Sequence, residues 1–307
     1  MSDHTPVLLQ EIIDSLDLRK NFTVIDTTIN GGGHAQAICE KLTHEGIFVG
    51  IDLDSKAISL SKERLSALSC TQHFVQQNFR HLDIVAREFN ILQADAILFD
   101  LGWSWNQFQD PARGFSFQVD GPLRMTLSDS YDENMITAYD VVNTWGEDTL
   151  VQILRGFGDE RFADRIAEAI VNARRVEPIA TTSQLAQLIT QAVPPWARTG
   201  KIHPATRTFQ AIRIAVNDEY GALEEGIRHA VDLLAPDGRC AVITFHSGED
   251  KIVKRIFKDY ESRGIITLLN KHVIRPQVGE IALNRRARSA KLRVIQKNRE
   301  MHTSNQE

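Results

Sequence analysis

The chain has 307 residues, 42% hydrophobic and 24% charged, the proportions of a globular protein with length enough for one large domain or two ordinary ones. Three scattered cysteines, Cys39, Cys70 and Cys240, are too few for a disulfide framework or a zinc cluster, and no metal site is expected. No run of about 18 apolar residues offers a membrane span, and the first residues lack a signal-peptide pattern, so a cytoplasmic protein without a membrane partner is expected.

The first hundred residues alternate strand and helix signals. Phe22-Thr23-Val24-Ile25 reads as a buried strand ending in Asp26, followed by the loop Thr27–His34 with its triplet Gly31-Gly32-Gly33 and a helix over Ala35–Leu42. A second strand, Ile47–Ile51, ends in Asp52. A helix over Ala57–Leu68, a strand around His73–Gln76 and a helix around His81–Phe89 lead to the apolar strand Ala96–Phe99, which ends in Asp100-Leu101-Gly102. Residues 103–125 lack periodicity. Helices are then predicted over Val141–Phe157, Arg161–Arg174 and Ser183–Ala192, the last capped by Ser183 and stopped by Pro194-Pro195. Tyr220, Leu223, Ile227, Val231 and Leu234 form one helical stripe ended by Pro236-Asp237-Gly238. Cys240–Phe245 reads as a buried strand, and Ile265–Leu269 with Lys291–Gln296 as a terminal antiparallel pair.

This order predicts an α/β fold, a Rossmann-like doubly wound sheet interrupted by a helical insertion. The expected division is a core first part at 1–105, an insertion serving as substrate domain at 106–206, and a core second part with a basic C-terminal segment at 207–307. That segment holds nine Lys or Arg between Lys271 and Arg299 against the single acid Glu280, within a chain of net charge −5. It is either a polyanion-facing surface or a solvated basic one.

The strand–glycine loop–helix turn lets a ligand lie against bare backbone, and Asp52 stands where a βαβ unit places the acid that holds a ribose diol. The loop is not the dinucleotide fingerprint, because Gln36 occupies the place of its third glycine, and no Lys-Ser/Thr pair makes it a phosphate loop. A site for S-adenosyl-L-methionine (AdoMet) fits better, since that cofactor carries no pyrophosphate. Trp103 and Trp105, flanking Ser104, share one face of an extended segment and either stack a flipped base or fill the seam beside the insertion. In His246-Ser247-Gly248-Glu249-Asp250, Ser247 with Asp250 reads as a capping box rather than a metal site. No cysteine follows the fourth strand to serve as a nucleophile at cytosine C5.

Several blocks together resemble the bacterial small-subunit rRNA cytosine-N4-methyltransferases, the MraW family. They are His4–Leu9, Gly31–His34, Asp100-Leu101-Gly102, Arg113–Phe117 with Asp120–Leu123, His203–Gln210, Phe245-His246-Ser247 with Glu249-Asp250, and Arg286–Arg293. The resemblance implies a class I AdoMet-dependent methyltransferase fold with a helical insertion. It further implies N4-methylation of a cytidine in the decoding region of 16S rRNA, near the P site of the small ribosomal subunit. It carries AdoMet contacts onto Gly32, Gly33, His34, Asp52, Phe79, Asp100 and Gln107. Trp103, Ser104, Trp105, Arg113, His203 and Arg207 fall on the substrate side, as base or phosphate contacts. The general base stays unassigned, because Asp-Leu-Gly stands where many amino-methyltransferases carry Asn/Asp-Pro-Pro-Tyr/Phe.

Departures from the family pattern are Thr27 for glycine, Ile29 for phenylalanine, Asn30 for glycine, Trp103 and Trp105 for small residues, and Asn106 for proline. Arg124-Met125-Thr126-Leu127 stands in place of Asp-Met-Arg-Met, and Gly248 in place of leucine. A catalytically diverged RNA- or ribosome-binding relative, or a methyltransferase on another substrate, is the alternative that these changes suggest.

Overall fold

Short buried runs build the sheet. β1 (Thr23–Asp26), β2 (Ile47–Asp52), β3 (Thr71–Gln76) and β4 (Ala94–Asp100) run parallel, and β5 (Leu234–Thr244) continues beyond β4 in the same sense. β6 (Ile266–Leu268) and β7 (Lys291–Lys297) form the antiparallel pair read from the sequence, and β7 also lies antiparallel to β5. The order is β3-β2-β1-β4-β5-β7-β6. The chain reverses direction across the sheet between β1 and β4, so a ligand crevice is expected at the carboxyl ends of those strands. The computed structural model describes residues 6–102, 110–130, 135–200 and 202–299.

Alternation along the strands sends side chains to two apolar layers. Ile25, Ile97, Phe99 and Val242 belong to one, Val24, Ala96, Leu98 and Ala241 to the other. The second layer is closed by α1 (Leu9–Leu16), α2 (Gly33–Cys39) and α3 (Ser55–Leu65), the last capped by the Asp54 carboxylate accepting from the Lys56 amide. The first is closed by α4 (Leu82–Glu88) and by two later helices, Glu219–Leu233 and Ser247–Ser262. Helices on both faces explain why the central strands carry apolar side chains on both sides between their ends.

The chain divides into two compact units, Met1–Gly102 with Tyr220–Glu307, and Trp103–Glu219. The second unit contains α5 (Ala138–Thr144), α6 (Glu147–Gly158), α7 (Ala163–Arg174), α8 (Thr182–Ala192) and α9 (Ala205–Asn217) around a core of its own, including Val141, Leu154, Ile166, Leu185 and Ile212. The helices Glu219–Leu233 and Ser247–Ser262 are α10 and α11.

Four local readings are corrected. The helix predicted over Val141–Phe157 is two helices, broken where Trp145 and Gly146 are extended; Arg174 donates to the Val142 and Trp145 carbonyls left at the break. α8 is capped by Thr181 with Gln184 rather than by Ser183, whose amide donates to Asp120. The box at α11 is shifted by one residue: His246 accepts from the Glu249 amide, and the Glu249 carboxylate accepts from the His246 amide. Pro236-Asp237-Gly238 lies inside β5 as a bulge, with pairing jumping from Ala94–Leu234 to Ala96–Arg239 and Asp237 in a left-handed conformation, φ 66°.

The basic segment is divided. Lys291 and Arg293 each pair with Asp250 at 2.8 Å, and Arg299 pairs with Asp237. Lys271, Arg275, Arg285 and Arg288 are exposed. Its single acid is structural, since Glu280 accepts from the amide of Leu8 at the head of α1.

Candidate functional site

Three carboxyl groups end three adjacent strands. Asp26 closes β1, Asp52 closes β2 and Asp100 closes β4. The loop after β1 is tied to the strands on either side of it, β4 and β2. The Thr27 amide and hydroxyl both donate to the Leu98 carbonyl, the Asp100 amide donates to the Thr28 hydroxyl at 2.6 Å, and the Ile29 amide donates to the Ile51 carbonyl. Asn30 sits at φ 50°, a conformation asparagine tolerates where the family has glycine, and its amide donates to Asp52 Oδ2 at 2.9 Å. The Asp54 amide donates to Asp52 Oδ1. Asp52 therefore holds the loop by one oxygen and opens α3 by the other, with lone pairs of both still able to accept.

Gly32 is left-handed at φ 74°, and a Cβ there would stand 3.0 Å from Ser61 Oγ. A Cβ on Gly33 would stand 2.5 Å from Pro6 Cγ. The segment Pro6–Leu8 thus packs against the glycine loop, a role the sequence did not reveal. The next residue, His34, is buried; its Nε2 lies 2.9 Å from the Val7 carbonyl and its Nδ1 3.4 Å from Asp100 Oδ2. A carbonyl only accepts, so Nε2 carries a proton. Burial pulls the imidazole pKa down, but the Asp100 contact and the charges of Asp100 and Asp26 leave it above the ordinary histidine value.

Burial pushes Asp26 up to about 7 against the lowering pull of His34 and the Thr28 amide, with Asp100 and Asp52 adding to the rise. Burial likewise raises Asp52 to about 6, although the Asp54, Asn30 and Leu53 amides oppose it and the Asp54 charge adds to it. Asp100 Oδ1 is buried with no hydrogen-bond partner among the described residues. Such an atom costs free energy unless a donor reaches it. Buried acids crowded around a close-approach loop suit a ligand that brings hydroxyl donors and positive charge, and AdoMet has both.

Phe79 begins a single 3-10 turn after β3, with its ring edge-on to Phe99 at 5.6 Å. It rests on Gly226 of α10, where a Cβ would come 2.8 Å from the Phe79 ring and 3.2 Å from its carbonyl oxygen. A glycine inside a helix was the only signal for this contact. Gly226→Ala should tilt Phe79 and raise the AdoMet dissociation constant about fivefold in calorimetry, for roughly 1 kcal/mol of displaced packing.

Gln107, Trp103, Ser104 and Trp105 lie outside the described residues. On the substrate side, His203 and Arg207 are exposed; the His203 ring lies 4.6 Å from that of Phe117, and Arg207 donates to the Asp159 carbonyl. Arg113 is different. It is buried, and its guanidinium donates to the Thr126 and Leu127 carbonyls. The expected phosphate contact is a brace for the loop after Pro122.

The strand order, the glycine loop and the acids closing β1, β2 and β4 define a class I AdoMet-dependent methyltransferase. More narrowly, the chain belongs to the MraW methylase family, whose model matches residues 1–298. It is similar to the ribosomal RNA small subunit methyltransferase H of Brevibacillus brevis, 38% identical over 309 residues covering 96% of this chain and 98% of that protein. The protein of the same name from Symbiobacterium thermophilum is 41% identical, with 96% of each chain covered. A solved rRNA methylase from Streptococcus thermophilus aligns with 95% of this chain and 93% of its own, at 11% identity and a TM-score of 0.43. Among the described residues no helix is long and apolar enough to cross a membrane.

Proposed function

We propose that this protein methylates the exocyclic N4 of a cytidine in the decoding region of 16S rRNA, acting in the cytoplasm on the small ribosomal subunit. The observation that carries the reading is the set of three strand-end acids, with one buried oxygen of Asp100 left without a donor among the described residues, in a chain whose near full-length relatives are named for small-subunit rRNA. Gly32 and Gly33 let the cofactor lie against backbone, Asp52 accepts from its ribose hydroxyls, Phe79 lies beside its adenine, and Asp100 receives its cationic end. His34 and the Pro6–Leu8 segment complete that wall, and Gln107 is a further cofactor residue on the family resemblance alone. When bound, AdoMet supplies an electrophilic methyl group.

The cytosine amino group is a weak nucleophile because its lone pair is conjugated with the ring. The protein's part is to take the base out of its stack, hold the nitrogen in line and accept a proton as the bond forms. His203 and Arg207, with Lys271, Arg275, Arg285 and Arg288, offer contacts to the RNA. Each phosphate contact makes binding weaken with salt, so subunit affinity should fall steeply, by orders of magnitude, between about 50 and 200 mM salt.

The test supplies isotope-labelled AdoMet and small subunits from cells lacking their own enzyme, then digests the rRNA. Labelled N4-methylcytidine is expected. Label on another nucleoside would overturn the target, and subunit binding without any label would identify the non-catalytic relative.

A further inference from the structure

The helical unit carries a cavity of about 250 Å³ that none of the described cofactor residues lines. Phe115, Phe117 and Phe209 wall it, and Gln118 and Gln210 line it. We propose that this cavity is a nucleobase pocket, which takes one unstacked base of the RNA substrate. The inference rests on the RNA reading above and adds a place on the chain where the RNA is gripped.

Size is the first argument. Pockets for drug-sized ligands run from roughly 300 to 1,000 Å³, so this one suits a single ring system. Its chemistry is the second. Three aromatic rings offer stacking and edge contacts, and Phe117 and Phe209 stand edge to face at 4.9 Å. The two carboxamides present both donors and acceptors, as the polar edge of a base requires and an aliphatic anchor does not. Charge is the third. Arg207 and Arg124, both exposed, follow Thr206 and precede Met125, two further lining residues. Single-stranded nucleic acid is held by cations that track its backbone together with aromatic platforms that stack its bases.

The cavity wall is also braced. Arg113 fixes the Thr126 and Leu127 carbonyls, and its guanidinium lies 5.9 Å from the Phe115 ring centre. Asn217 accepts from the Leu127 amide and donates to the Met125 carbonyl, holding Met125 at φ 57°. Arg213, which lines the cavity and is buried, makes a two-point contact with Glu219 at 2.7 and 2.8 Å. A preformed pocket loses less ordering entropy on binding.

The test measures equilibrium binding of unmethylated small subunits to the full-length protein and to Phe117→Leu and Gln118→Ala, with methyl transfer followed in parallel. The dissociation constant should rise about tenfold for Phe117→Leu and about threefold for Gln118→Ala, with AdoMet affinity unchanged. If Phe117→Leu loses its thermal transition, the exposed Gln118 carries the test alone. Folded variants that bind subunits as the parent does overturn the pocket, as does a parent that binds no RNA. A parent that binds subunits but labels no cytidine defeats the proposed activity and leaves the binding comparison intact.

Discussion

Asp100→Asn should raise the dissociation constant for AdoMet by between about ten- and a hundredfold while leaving methyl transfer measurable at saturating cofactor. Hydrogen bonds to a charged group are worth roughly 1.5–3 kcal/mol, which sets that range. Two observations favour a carboxylate that meets the cofactor over one that takes the proton to be removed. Asp100 Oδ2 stands against His34, so that oxygen is held in place from within the protein, and Oδ1 is buried with no donor among the described residues. The His34 imidazole is in turn fixed by the Val7 carbonyl. The neutral amide keeps the shape and loses the charge that a cationic ligand would meet. Titration calorimetry reads the affinity, and labelled transfer reads the chemistry. Normal AdoMet binding with abolished transfer would make Asp100 the proton acceptor instead.

The sheet and the acids were legible because parallel strands buried on both faces are continuous apolar runs, and each of Asp26, Asp52 and Asp100 interrupts such a run at its end. What the sequence hid depends on distant contacts. Pro6 against Gly33, Val7 against His34 and Gly226 beneath Phe79 join residues far apart in the chain, and no local period reports them. The same holds for Arg113, which reads as a phosphate ligand until its burial and its two carbonyl partners are known. Caps were misplaced by one or two residues because Ser, Thr, His and Asp crowd the helix starts, and only geometry chooses among them. Several departures from the family pattern are locally satisfied. The Thr27 hydroxyl finds the Leu98 carbonyl, and Ile29 fills the space over Gly50, where a Cβ would lie 2.3 Å from its Cδ1. Gly248 makes room for Tyr220, whose hydroxyl oxygen would lie 1.7 Å from a Cβ. These are compensated substitutions, so they favour a working site over a decayed one.

The cofactor-free protein should lose thermal stability as pH rises from about 5 to 8, and AdoMet should bind more tightly over the same rise to about pH 7. Asp26 is held near 7 and Asp52 near 6, against 3.8 for an ordinary aspartate. The folded chain therefore keeps protons that the unfolded chain has already released. Stability declines from about pH 4 upward until each group ionises in the fold. The raised His34 acts with the same sign: its contribution is whole below the ordinary 6.5 and disappears as pH climbs past its folded value. Each unit of displacement corresponds to about 1.4 kcal/mol, so even a part of the Asp26 shift is worth several degrees in Tm. A cationic ligand reverses the balance. Positive charge beside these acids lowers their pKa values, so binding expels protons and gains from rising pH. About a tenfold gain in affinity between pH 5 and 7 corresponds to one proton released over part of that range. Asp26→Asn removes the largest contributor. It should raise Tm above that of the parent at pH 8, flatten the dependence of Tm on pH, and reduce the pH dependence of AdoMet affinity. Scanning calorimetry and binding titrations at pH 5, 6, 7 and 8 decide the matter. An unchanged slope in the variant would mean that the proton resides elsewhere, with Asp52 the next group to replace.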